Sequence, residues 1–204
     1  MNQDRRDRLR DAAIAVLARE GGRGLTHRAV DAEAVVPTGT AKNYFPTRDA
    51  LLRAAAERCA EQYRVPAATV AQTGPQTGPE AGPGPFDAAQ LAALLAGLLR
   101  NAAGPGRTRV LAYLELRAEA ARRPWLATLL DPVAAADFAA HAYLLRAAGL
   151  PAGPERARAL TLALHGAVPH LLTGTPATLA AAGLDDLDRF TRELLAAVCE
   201  EETG

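Results

Sequence analysis

The sequence predicts an all-α protein, and three observations carry that prediction. Leucine and alanine dominate a chain of 204 residues in which aromatic residues make up only 4%, a composition that favours helices over sheets. No stretch alternates apolar and polar residues with the two-residue period of a strand. Apolar residues instead recur at three- and four-residue spacings, in roughly nine or ten blocks set apart by Gly and Pro. Their order divides the chain into an N-terminal three-helix head over 1–64, a Pro/Gly-rich flexible loop over 65–85, and a helical C-terminal domain over 86–204.

The first helix, Gln3 to Glu20, places Leu9, Ala12, Ala13, Val16 and Leu17 on one face, and Gly21-Gly22 stops it. Next comes LTHRAVDAEAVVPTGTAKNYFPTRDALL, Leu25 to Leu52, which reads as two short helices, a tight turn between them, and the start of a third. Thr26 caps the first, with Leu25 and Val30 placed to close over it as a hydrophobic staple. At Val35-Val36-Pro37 the residue before proline leaves the helical region, so the chain turns there. The second helix runs from about Thr38 to Phe45 and ends at Pro46. Thr47 caps the third, and the charge of Asp49 suits the dipole of its first turn.

In the second short helix Ala41 and Phe45 are four apart and point inward with Val30 and Val36. The opposite face presents Thr38, Gly39, Lys42, Asn43 and Tyr44. Lysine and asparagine hydrogen-bond base edges, tyrosine and threonine reach phosphates, and small residues at the amino end let the backbone approach a groove. The pattern therefore fits duplex DNA.

The segment GTAKNYFPTRDALL, preceded by the capped LTHRAVDAEA and an amphipathic first helix, resembles the DNA-binding region of TetR-family transcriptional regulators. The motif covers roughly the first quarter of the chain. Lys42 and Asn43 depart from it, because many members carry bulky aromatics there. The resemblance implies a helix-turn-helix head whose DNA-binding residues are Thr26, His27, Arg28, Thr38, Gly39, Thr40, Lys42, Asn43, Tyr44 and Arg48, the last at a phosphate. It also implies a homodimer formed through the last two long helices and a palindromic operator. A small-molecule effector of unknown identity would release that operator by changing the spacing of the heads. Repression is the family's commoner sign. Arg5, Arg6, Arg8 and Arg10 on the first helix either touch the DNA backbone or form a solvated face paired with Asp4, Asp7 and Asp11.

From Thr47 the third helix of the motif continues to about Tyr63 or Arg64. The run from Pro66 to Phe86 repeats Gln-Thr-Gly-Pro and has too little apolar surface to fold. Helices follow at Asp87–Ala103 and Thr108–Arg122, then a short segment from Pro124 to Leu130, a helix from Pro132 to Ala148, and a final pair at Pro154–Leu172 and Leu184–Glu201. A loop, Thr173 to Gly183, separates that pair.

The formal net charge is zero, with 12 Arg or Lys against 9 Asp or Glu in residues 1–64 and 11 against 14 in the rest. A basic head on an acidic body suits a protein whose head alone approaches phosphates. Cys59 and Cys199 are far apart without metal-ligand spacing, so free thiols in a reduced compartment are expected. The charged start MNQDRRDRLRD lacks the apolar core of a signal peptide, and no run is long and apolar enough to span a bilayer. A cytoplasmic protein is expected.

Ligand-contact candidates are side chains that bring polar tips into an apolar body: Tyr113, Arg117, Trp125, Phe138, His141, Tyr143 and His165, with Glu115 and His170 beside them. A satisfied core or surface residue is the alternative for each. Glu119 has helical partners in Arg122 and Arg123, so a salt-bridged face is expected there. A helical enzyme or a protein-interaction module without DNA binding is the competing class. The sequence has no phosphate-cradling glycine loop, zinc-binding HExxH pair or nucleophile elbow, so no catalytic residue, metal or cofactor is assigned.

Overall fold

The computed structural model describes residues 2–73 and 86–199, which form ten α-helices with no strand among them. They are α1 (Asn2–Gly24), α2 (His27–Glu33), α3 (Thr40–Tyr44), α4 (Arg48–Thr73), α5 (Ala88–Ala103), α6 (Arg107–Ala120), α7 (Pro124–Ala147), α8 (Pro154–Thr173), α9 (Pro176–Ala181) and α10 (Leu187–Cys199). The chain folds as two compact units. One comprises Met1–Pro66 and Gly106–Ala134, the other Ala67–Pro105 and Ala135–Gly204.

In the first unit the expected stripe of α1, Leu9, Ala12, Ala13, Val16 and Leu17, is buried in a cluster with Leu25, Val30, Ala41, Phe45, Leu51 and Leu52. Leu116 of α6 and Leu126 and Leu130 of α7 complete that cluster. Residues far apart in sequence therefore close the core that carries α2 and α3. Gly21 breaks the helical path of α1 at φ 68°, ψ −177°, where the glycine pair predicts a stop.

In the second unit α5, α8 and α10 share a core of Leu91, Leu95, Leu99, Leu160, Leu164 and Leu195, joined by Leu144 and Leu145 of α7. Asp87 and Gln90 form a reciprocal capping box that starts α5. Thr191, fully buried on α10, donates its hydroxyl to the carbonyl of Ala92 at 2.9 Å.

Three expected boundaries are corrected. Helix α4 does not end at Tyr63 or Arg64 but continues through Pro66 to Thr73, because one proline removes a single backbone bond while the alanines beyond it favour helix. Residues 65–73 are thus helical, and the low-complexity run from 74 to 85 lies outside the described residues. The expected break at Pro132 is absent, since α7 carries that proline within one continuous helix. The loop between the last two long helices contains α9, capped by the Thr175 hydroxyl, which accepts from the Thr178 amide, with Pro176 at the first helical position.

Candidate nucleic-acid interface

Helix α2 begins as the sequence predicts. The Thr26 side chain accepts from the Ala29 amide at 3.1 Å, and Leu25 and Val30 are both fully buried. Its end is less ordinary. The amides of Val35 and Val36 donate back to the carbonyls of Ala32 and Asp31, a Schellman arrangement with Val35 in the left-handed position at φ 53°. Glycine usually fills that place, because a β-branched side chain crowds the backbone there. Val35 is 85% exposed, so no packing of its side chain offsets the strain.

The turn into α3 is held by a residue absent from the sequence-predicted set. Asp31 is 2% exposed, and its two carboxylate oxygens accept from the amides of Gly39 at 2.7 Å and Ala41 at 2.6 Å. Gly39, the cap of α3, has no side chain of its own to satisfy those donors. Its φ of 92° requires glycine, whereas a Cβ there would meet nothing within 4 Å. The signal available in the sequence was an acid one position after Val30 and three before buried Ala34, on the inner side of a short helix. A carboxylate in that position must find donors.

Ala41 and Phe45 are buried as expected, and Thr38, Lys42 and Asn43 are exposed. Tyr44 is half-buried and packs against the edge of the core, so the outward face is narrower than its sequence pattern suggests. Asn43 and Tyr44 line a basin of about 470 Å3 with Gln3 and Arg6 of α1. The Arg6 guanidinium lies 5.2 Å from the centre of the Phe45 ring. The first helix therefore flanks the outward face of α3.

The other sequence-predicted residues take separate parts. Arg28 is exposed. The Thr40 hydroxyl donates to the Pro37 carbonyl at 2.6 Å. The His27 ring is 2.6 Å from the Phe45 carbonyl, tying the start of α2 to the end of α3. Arg48 donates to the carbonyls of Leu25 at 2.7 Å and Gly22, so its guanidinium braces the corner between α1 and α4. Arg10 is not outward. It is buried, donates to Asp7 at 2.9 Å and Glu61 at 2.6 Å, and holds the Glu61 carboxyl below the usual carboxylate range. Arg5, Arg6 and Arg8 remain exposed.

The ligand-contact candidates divide between the units. In the first, Tyr113 packs against Tyr63 with ring centres 5.0 Å apart and planes tilted by 49°, Arg53 covers Trp125 at 4.6 Å, and Arg117 is exposed beside Asp131. In the second, Phe138 is half-buried, Tyr143 is 40% exposed, and His165 meets Asp137 at 3.0 Å. His141 is buried and donates from Nδ1 to the Thr161 hydroxyl at 2.9 Å, since that hydroxyl gives its own proton to the Ala157 carbonyl. Burial pushes the His141 imidazole down to about 4. Glu119 is paired by Arg122 and Arg123 as expected. Burial pushes the Cys59 thiol up to about 12, which keeps it protonated and unreactive. No helix among the described residues is long and apolar enough to cross a membrane.

An all-helical chain with a capped helix pair and an exposed polar face on the second helix has the build of a helix-turn-helix regulator. The family model of the Tetracyclin repressor-like C-terminal domain matches residues 86–200. The multidrug binding protein EbrR, in its imidazole complex, is 35% identical over 98% of this chain and 97% of its own, with a TM-score of 0.62. A TetR-family member of Streptomyces coelicolor A3 is 34% identical over 97% of this chain and 99% of its own, with a TM-score of 0.64. A transcriptional regulator of Rhodococcus sp. Rha1, 21% identical over 95% of both chains, shares the fold at a TM-score of 0.72. No curated protein matches. The chain belongs to the TetR family.

Proposed function

We propose that this chain is a cytoplasmic DNA-binding transcriptional repressor, released from a palindromic operator when a small molecule occupies its C-terminal domain. The observation that carries the reading is α3: Ala41 and Phe45 are buried while Lys42 and Asn43 stand exposed on the same five-residue helix. Residues 1–64 read the operator and residues 86–204 bind the effector and pair two chains. Lys42 and Asn43 contact base edges, and Thr26, Arg28, Thr38 and Tyr44 contact the backbone. His27, Gly39, Thr40 and Arg48 support those contacts by shaping the turn.

The second copy pairs through α8 and α10. Leu162 of α8 is 56% exposed, and a Cβ at Gly166 would meet nothing within 4 Å, so the helix offers an apolar and a close-approach position one turn apart. Two heads at a fixed spacing bind a palindrome more tightly than either alone. EbrR has been crystallised with ethidium and with malachite green, which supports an aromatic effector for this relative.

Selection of bound fragments from random duplex DNA tests the reading, with a two-fold symmetric consensus as the expected outcome. Lys42→Ala or Asn43→Ala relaxes preference between operators by about 1–3 kcal/mol per lost base contact. Unaltered preference in both variants removes the base-reading role.

A further inference from the structure

We propose that the first unit carries a phosphate-binding basin that extends from Arg48 beyond the helix-turn-helix, through Arg23, Arg122 and Arg123, at the corner where α1 and α4 meet the link between α6 and α7. Arg23, Arg48, Arg122, Arg123 and Glu119 line a cavity of about 700 Å3. Four guanidiniums face one carboxylate, and the observed pairing leaves positive charge in excess. Arg122 at 2.8 Å and Arg123 share Glu119, and Asp49, outside the lining, lies 3.6 Å from Arg123. Arg48 is fixed by two backbone carbonyls, which orient its guanidinium without neutralising it. Arg23 makes no ion pair among the described residues.

The geometry favours an anion with several acceptor oxygens. Guanidiniums from three separate segments of chain line the cavity, and three of the four are held before any ligand arrives: Arg48 by carbonyls, Arg122 and Arg123 by the carboxylate of Glu119, a residue only 9% exposed. A tetrahedral phosphate offers an oxygen to each fork, whereas a single carboxylate offers two in one plane.

Two sources supply such a group, the backbone of a duplex or a free phosphate. The duplex is favoured by position. Arg48 binds the carbonyl of Leu25, the residue before the cap of α2, and His27 beside that cap binds the end of α3. The basin is thus joined to the outward helix through two short links, and Arg23, Arg122 and Arg123 extend the basic surface beyond the motif. The choice of the duplex rests on the DNA-binding reading. The basin itself does not.

The test compares the full-length protein with an Arg23→Gln/Arg122→Gln double variant, which leaves every residue of the helix-turn-helix unchanged. Fluorescence anisotropy on operator and unrelated duplexes is followed across a salt series, and thermal unfolding is followed with and without inorganic phosphate at fixed ionic strength. If the basin holds DNA phosphates, the variant binds every duplex about tenfold more weakly, and its salt slope falls by about 0.9 for each phosphate lost. Operator preference stays the same, and a double Lys variant at the same positions recovers most of the affinity. If duplex binding is unaltered and inorganic phosphate raises the midpoint of the wild type but not of the variant, the basin stands with a free phosphate as its ligand. Equal affinity and equal slope, with no phosphate effect on either protein, overturn the basin. A wild-type chain that binds no duplex sinks the DNA-binding reading alone, and the phosphate arm still decides the basin.

Discussion

Helix α3 has five residues and α10 has thirteen, and they are held in place by different forces. Five residues do not form a stable helix alone, because the first turn fixes several dihedrals for one hydrogen bond. Asp31 supplies what is missing by accepting two backbone amides at the start of α3, while Ala41 and Phe45 anchor it from below. In α10, by contrast, buried Leu195 and half-buried Leu187, Phe190, Leu194 and Val198 lie along the second core. Thr191 adds one polar tie, to Ala92. A five-residue helix with only Ala41 and the following Phe45 to bury cannot present an apolar stripe as long as that of α10, so it is fastened by polar bonds to its backbone. A helix with a core to fill needs no such fastening.

The largest expected effect tests the polar anchor. Asp31→Ala leaves two amides without acceptors and is expected to destabilise the first unit by about 4 kcal/mol, read as a lower urea midpoint together with loss of duplex binding. A midpoint within error of wild type would show that α3 needs no anchor.

The apolar counterpart is Leu195→Ala, expected to cost about 3 kcal/mol through the cavity it leaves. Denaturant unfolding measures that cost. If the two helices differ as argued, this variant keeps its preference between operators under conditions where it remains folded, whereas Asp31→Ala does not.

The pH dependence of the second unit sharpens the same contrast. The His141 imidazole, pushed down to about 4 by burial, stays neutral in the fold while the unfolded chain titrates near 6.5. The stabilisation is therefore complete above about pH 6.5 and is lost as pH falls toward 4, amounting to about 2–3 kcal/mol. Comparing unfolding midpoints of wild type and His141→Gln from pH 7.5 to 4.5 isolates it, with the flatter curve belonging to the variant.

The smallest effect returns to the turn before α3. Val35→Gly relieves a left-handed β-branched residue whose side chain is almost wholly exposed, with an expected gain of about 1 kcal/mol after the extra chain entropy of glycine. A decrease in melting temperature would mean that the Val35 side chain contributes a contact that outweighs its strain.

Much of the head was legible because its signals are local. Thr26 caps through its own hydroxyl, Leu25 and Val30 close over that cap, and Phe45 follows Ala41 at helical spacing. The misread elements were those where a local signal met a competing one. Pro66 was read as lying past the end of one helix and Pro132 as the start of another, but helix-forming neighbours carry α4 and α7 through them. Thr175-Pro176 was read as loop, although a capping threonine before proline is also how a helix starts. Arg10 was grouped with the outward arginines of α1, because no periodicity reveals that Glu61 lies opposite it.

By itself the sequence determined the all-α class, the capped start of α2, the inward pair Ala41 and Phe45, and the exposure of Lys42 and Asn43, since each follows from spacing within one or two turns of helix. Tertiary structure alone decided that Asp31 would serve α3, that Arg48 would brace two carbonyls, and that Arg23 and Arg48 would line one cavity with Arg122 and Arg123. Those outcomes require donors and acceptors from separate segments to share a few ångströms of space. Such a meeting is fixed by how the helices pack, and no period along the chain records it.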